Sequence, residues 1–322
     1  MIKKNLHRIM ILKFNHRMIL FFFFLLAATQ VKGQEYPWSL QYVNNMQTIN
    51  PAYAGIWDRA GLLISTKTNW VGINGAPVSQ YLNCSTPIRE QKSAVGFNVQ
   101  RINIGLEKQL FLTGDYSYRV RTNKNNYLQM GFRIGIVNYD NNLKDYQPYP
   151  DYIPDPNTSI DVTMHNMSVF GIGAVYFSDN YYLSLSLPEV ISNTFNANQQ
   201  NYMASSAYKT MYLSGGYVFG SPGKVRFRPN LLVAVTKGAP TYADVAAIVY
   251  LPPFLQFGTN LRSTGLVCFF IQYNLTDRIK LGYAFDYSVT ADIRKYQLGT
   301  HEIFVGYDFN VYKRKSSRTN YF

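Results

Sequence analysis

From Gly61 to Val311 apolar and polar residues alternate in about fourteen short runs. In one run Leu110, Leu112, Gly114, Tyr116, Tyr118 and Val120 share a face, opposite Phe111, Thr113, Asp115, Ser117, Arg119 and Arg121. In the next, Leu128, Met130, Phe132, Ile134 and Ile136 oppose Gln129, Gly131, Arg133 and Gly135. The last two runs repeat the scheme. Ile279, Leu281, Tyr283, Phe285 and Tyr287 oppose Lys280, Gly282, Ala284, Asp286 and Ser288. Ile303, Val305, Tyr307, Phe309 and Val311 oppose Glu302, Phe304, Gly306, Asp308 and Asn310. Successive strand residues point to opposite faces, so each predicted strand has one greasy face and one that carries charge.

Two architectures satisfy that pattern. A sandwich buries the greasy faces against each other, whereas a barrel turns them to lipid and closes around the charges. The joints decide. After a first strand over 61–70, joints 122–126, 178–180, 220–223, 252–253 and 275–277 are short. Joints 139–165, 188–208 and 290–299 are long, and all have the opposite parity. Short turns at one end and longer loops at the other are the asymmetry of outer-membrane barrels. The expected fold is all-β: a transmembrane antiparallel β-barrel of about fourteen strands over 60–312, placed in a bacterial outer membrane. Pro229, within the ninth strand, is expected to mark a bulge or a strand end, because proline cannot donate to the ladder. Residues 34–59 do not alternate. Their Asn50-Pro51-Ala52-Tyr53-Ala54-Gly55 turn chemistry predicts a folded periplasmic or lumenal element.

The ends add targeting. Lys3, Lys4, Arg8, Lys13 and Arg17 precede the apolar run Ile19 to Ala28, and Val31 and Gly33 leave a site for cleavage before Gln34. That is the pattern of a secretory signal peptide over 1–33. The apolar run is about half of the ~20 residues a spanning helix needs. The formal charge of +13 is concentrated in the same ends. Without 1–33 the balance is 25 basic against 18 acidic residues, and Lys313, Arg314, Lys315 and Arg318 hold four of those in a basic tail, 313–322, expected in the periplasm. A near-neutral body has no footprint for nucleic acid. Aromatics make up 16% of the chain, including 27 tyrosines, which suits strands that end in lipid interfaces. Cys84 and Cys268 both lie mid-strand, and a disulfide between them would require adjacent strands.

Four ordered blocks then suggest a family. Gln41-Tyr42 with Ile49-Asn50-Pro51-Ala52-Tyr53-Ala54-Gly55, and Trp70-Val71-Gly72-Ile73-Asn74-Gly75-Ala76-Pro77-Val78, resemble N-terminal signatures of the PorP/SprF outer-membrane proteins of Bacteroidota. Tyr283-Ala284-Phe285-Asp286-Tyr287-Ser288 and Gly299-Thr300-His301-Glu302-Ile303 are similar to its closing pair of strands. The chain departs from the pattern at Val43-Asn44 and at Thr68-Asn69 before Trp70. The resemblance implies a barrel of the type IX secretion system or its gliding-motility relatives. It further implies partners: a secreted cargo with a C-terminal sorting domain, and periplasmic ring or peptidoglycan-associated subunits.

Each feature also has a plainer reading. Asn50 to Gly55 reads first as a structural turn, since proline and glycine fix backbone angles there. His301-Glu302 stands at the start of the last strand, where Glu302, like Asp286, is expected to pair with a lumenal cation. Arg119, Arg133, Arg262, Lys280, Asp286 and Glu302 form the expected lumenal charge network, within a polar-face set that also holds Lys67, Asp115, Arg121, Arg226, Arg228 and Asp308. Mixed signs suit a filled lumen, since an unpaired buried charge is costly. An enzyme is disfavoured: past residue 33 only His165 and His301 could serve as a histidine base, and no Gly-x-Ser-x-Gly element accompanies them. No metal-ligand spacing and no phosphate loop is present, so no cofactor is expected. A passive channel for small solutes is the alternative to a docking component, and Phe111, Tyr127 and Phe304, all predicted inside, favour occlusion.

Overall fold

The computed structural model describes residues 39–88, 92–145, 161–191, 209–221, 223–237, 239–288 and 295–309. The signal segment 1–33, the tail 313–322 and most of the longer joints lie outside these residues. Fourteen strands follow in order: β1 (Ala60–Thr68), β2 (Val78–Ile88), β3 (Ser93–Ile104), β4 (Glu107–Arg121), β5 (Tyr127–Asn141), β6 (Val162–Phe177) and β7 (Tyr181–Ile191). The rest are β8 (Thr210–Tyr217), β9 (Arg226–Thr236), β10 (Tyr242–Leu251), β11 (Leu255–Arg262), β12 (Leu266–Asn274), β13 (Ile279–Ser288) and β14 (Thr300–Phe309). Each pairs antiparallel with its chain neighbours, and β1 closes the barrel against β14 from Ala60↔Phe309 to Thr68↔His301. Closure leaves no sheet edge, which is what a wall in hydrocarbon requires.

The alternation sorts side chains as the pattern demands. Tyr116, Tyr118, Val120, Met130, Phe132 and Ile134 on β4 and β5 are exposed on the outer surface. Their neighbours Asp115, Ser117, Arg119, Gln129 and Arg133 are buried inside. An apolar exterior around a charged interior is the inverse of a water-soluble domain. With fourteen strands, the start of β1 and the end of β14 lie at the same end as the short joints. We call this the turn end, and the other the loop end.

Four details differ from the pattern-based reading. Residues 139–141 and 162–165 belong to β5 and β6, not to a loop: Tyr139 pairs with Met164 beyond a bulge between Val137 and Tyr139. The bulge resets the alternation, so the pattern breaks while the pairing continues. A second irregularity, between Phe170 and Ile172, carries β7 through Pro188 to Ile191. Pro229 neither bulges nor ends β9, and its pairing with Ala247 on β10 is continuous. Its effect falls on the other neighbour. The β8 ladder stops at Gly216↔Asn230 and resumes only as the isolated Phe219↔Phe227 bridge, so the gap spans the proline that cannot donate. Arg121 is exposed at the end of β4, where its guanidinium donates to the Asn123 and Lys124 carbonyls of the hairpin. Both cysteines are free, on strands that are not neighbours.

Candidate functional site

The hydrophobic core lies inside the barrel and is built largely from the segment before β1. Leu40, Tyr42, Val43, Met46, Ile49, Ala52, Tyr53 and Ile56 pack against Val175, Tyr182, Leu232, Ile248 and Phe270 of the wall. The segment coils as three 3-10 turns, Tyr42–Asn44, Met46–Thr48 and Pro51–Tyr53. The last is set locally: Asn50 caps it by accepting from Ala52 N at 2.8 Å, and Pro51 occupies the first position, where no N–H is needed. Gly55, at φ 64°, then turns the chain toward β1.

The segment runs from the loop-end half of the lumen to the turn end. At its start Ser39 Oγ donates to Glu302 at 2.6 Å, and Leu40 N donates to the same carboxylate. Asn260 Nδ2 on β11 donates to Leu40 O at 3.0 Å. Tyr42 O–H donates to Asp244 on β10 at 3.2 Å and accepts from Asn230 on β9. Burial, and then the Asp244 carboxylate, hold this phenol well above the ordinary tyrosine range, so it stays a neutral donor.

The firmest grip comes from β4 and β5. Arg133 pairs with Asp115 at 2.7 Å through Nε and donates to Gln47 O at 2.6 Å and Thr48 O at 3.1 Å. Asp115 also accepts from Gln47 and from Asn98, the end of a chain of amides that begins at Asn45 and passes through Asn83. Arg119 pairs with Asp58 and donates to the Gly55 and Ile56 carbonyls. Ser117 and Gln129 both donate to Ala54 O at 2.8 Å. Hydrogen bonds to charged groups contribute about 1.5–3 kcal/mol each against ~1 for neutral ones, so the two arginine clamps dominate.

The Asn50 amide donates to Ser184 Oγ at 2.8 Å and to the Ala174 carbonyl at 3.2 Å. This close approach depends on two lumenal glycines. A Cβ at Gly131 would collide with the Ala52 backbone nitrogen, and one at Gly173 with the Asn50 side chain.

The structure divides the residues singled out above. Asn50, Pro51, Ala52, Tyr53, Ala54 and Gly55 lie in the lumen, as do Arg119, Arg133, Arg262, Asp286 and Glu302. Arg262 pairs with Asp244 at 2.9 Å. Lys280 sits at the turn end, 2.8 Å from Asp308. His301 and Tyr287 point outward, and His301 shares a 2.7 Å hydrogen bond with Tyr283. His301 and Glu302 therefore lie on opposite sides of the wall. Trp70, Gly75 and Pro77 lie in the joint between β1 and β2 at the loop end. That joint is tied to the β13–β14 joint by Val71 N to Gly299 O and Leu298 N to Val71 O, each 2.9 Å. Tyr296 and Leu298 beside it are 74% and 72% exposed.

Sequence reasoning passed over Gln47 within the segment, and Asn83, Gln129 and Asp244 as its partners on the wall. Glycine on the charged face of a strand was the available signal, because it marks close approach of another backbone.

The family model described as type IX secretion system membrane protein PorP/SprF matches residues 31–307. No curated protein matches the chain in sequence. Among solved structures, a FadL homologue of Pseudomonas aeruginosa aligns at 12% identity over 85% of this chain and 95% of its own, with TM-score 0.48. The Acinetobacter baumannii outer-membrane protein Omp33 aligns at 8% identity over 78% and 98%, with TM-score 0.47.

Proposed function

Because the chain belongs to the PorP/SprF family of type IX secretion system membrane proteins, we propose that this outer-membrane barrel is a non-enzymatic docking platform and not a solute channel. The loop end faces outward and retains a secreted cargo through its C-terminal sorting domain. The turn end meets periplasmic ring or peptidoglycan-associated subunits. This orientation follows the rule that short turns of bacterial barrels are periplasmic and longer loops external.

The observation that carries the reading is the occupied lumen. A channel needs a continuous aqueous path, whereas residues 39–59 bind the wall from Glu302 near one end to Arg119 near the other. The loop-end rim adds a surface. Two joints are hydrogen-bonded into one ledge, and Tyr296 and Leu298 are presented on it. Exposed aromatic and aliphatic side chains on such a ledge are suited to anchoring a partner. The outward placement of His301 puts the wall between it and Glu302, so these two residues do not form an acid–base pair.

The test is display of the cognate cargo on intact cells carrying Tyr296→Ser with Leu298→Ser. Display falls several-fold while heat-modifiable, folded barrel stays at its native level. Unchanged display would remove this ledge from the cargo surface.

A further inference from the structure

The segment fills the lumen unevenly. Between it and the wall of β9–β14 and β1 lies a cavity of about 340 Å³, lined by the turn-end residues Pro252, Phe254 and Thr276. Its size is at the low end of ligand pockets, enough for a few side chains and too small for a domain.

The lining has three chemistries. Arg59, Arg226, Arg228 and Lys280 are cationic, against two carboxylates, Asp277 and Asp308. Asp308 is already engaged, by Lys280 at 2.8 Å and Arg59 at 3.8 Å. Arg228 donates to the Tyr250 hydroxyl at 3.0 Å, and the Arg226 guanidinium stands 5.8 Å from the same ring. The second chemistry is flat aromatic surface: Trp57, Tyr250, Phe254 and Phe304. Lys280 lies 5.0 Å from the Trp57 ring, which holds the two chemistries side by side. The third is a set of amides, Asn44, Gln256, Gln272 and Asn274. Asn44 Oδ1 accepts from Gln256, while its Nδ2 has no acceptor among the described residues.

We propose that this cavity is a binding site for an acidic peptide segment of a periplasmic partner, entering from the turn end. A free phosphate-sized anion would use only the cations. A peptide uses all three chemistries, with its carboxylates on the arginines and lysine, its backbone on the amides and its apolar side chains on the rings. Low-dielectric walls around an excess of positive charge strengthen the attraction over that at an open surface.

The proposal rests on the periplasmic placement of the turn end and deepens the docking reading. It is tested apart from cargo display, so either can fail alone. The probe is a fluorescein-labelled tetraglutamate peptide, with tetraglutamine as its neutral counterpart, read by anisotropy on the purified full chain in detergent. Tetraglutamate is expected to bind at least tenfold more tightly than tetraglutamine. Arg226→Gln and Lys280→Gln each weaken it several-fold, whereas Arg101→Gln, an exposed cation near the loop end, leaves it unchanged. Each variant is first checked for the native heat-modifiable gel shift. For a variant that fails this check, loss of wild-type binding at high salt together with protection of Lys280 from amine-reactive reagent by tetraglutamate replaces it. Equal binding of both peptides, binding indifferent to Arg226 and Lys280, or displacement by equimolar inorganic phosphate would overturn the proposal.

Discussion

The two sides of the lumen treat the same segment differently. Toward β4–β7 it is clamped: Arg133 and Arg119 grip five of its carbonyl and carboxylate groups, and two glycines let the Ala52 backbone and the Asn50 side chain touch the wall. Toward β9–β14 the hold is uneven: near the loop end Glu302, Asn260, Asp244 and Asn230 bind Ser39, Leu40 and Tyr42, but toward the turn end the segment is met by contacts such as Gln256 to Asn44, and a cavity remains. The first side makes the segment a permanent part of the fold. The second leaves room for something else. A plug evolved only to block a pore has no evident need of that asymmetry.

Substitutions sharpen the contrast. Arg133→Ala, on the clamped side, removes four donations and leaves Asp115 buried without its cation. It is expected to cost about 3–5 kcal/mol, measured as loss of midpoint in urea unfolding of the detergent-refolded barrel. Gly131→Val drives a side chain into the Ala52 backbone and costs about 1–3 kcal/mol, read as a lower melting temperature. Asn50→Ala loses the cap of the third turn and the bond to Ser184, for about 1–2 kcal/mol in the same unfolding assay. Gln256→Ala, across the lumen, loses one neutral hydrogen bond next to open space, for about 0.5–1.5 kcal/mol. If Gln256→Ala proves as damaging as Arg133→Ala, the two sides are equivalent and the comparison fails.

Much of this architecture is legible in the sequence, because the wall is a period-2 problem. The faces of β4, β5, β13 and β14 follow from counting by two, and joint parity separates lipid from a second sheet as the cover. The same rule places His301 and Glu302 on opposite sides. Strand ends at Asn141 and Val162 are hidden because a bulge changes which residues face in without ending the pairing. The position of the segment is hidden for a different reason. A chain of 3-10 turns has no period that indicates what covers it, and its partners are distant in sequence, as Ser39 is from Glu302. Of its contacts only the local ones, Asn50 on Ala52 and the bend at Gly55, were readable in advance. The glycines opposite it, Gly131 and Gly173, were visible but became meaningful only with the segment in place.

Planar-bilayer recording tests the central claim most directly, by comparing the purified full chain with a variant lacking residues 39–58. The account predicts a silent native protein and stable conductance steps from the deletion variant that folds, because the barrel then holds a water-filled channel. Steady conductance from the native chain would contradict it, because the segment would then not be filling the barrel.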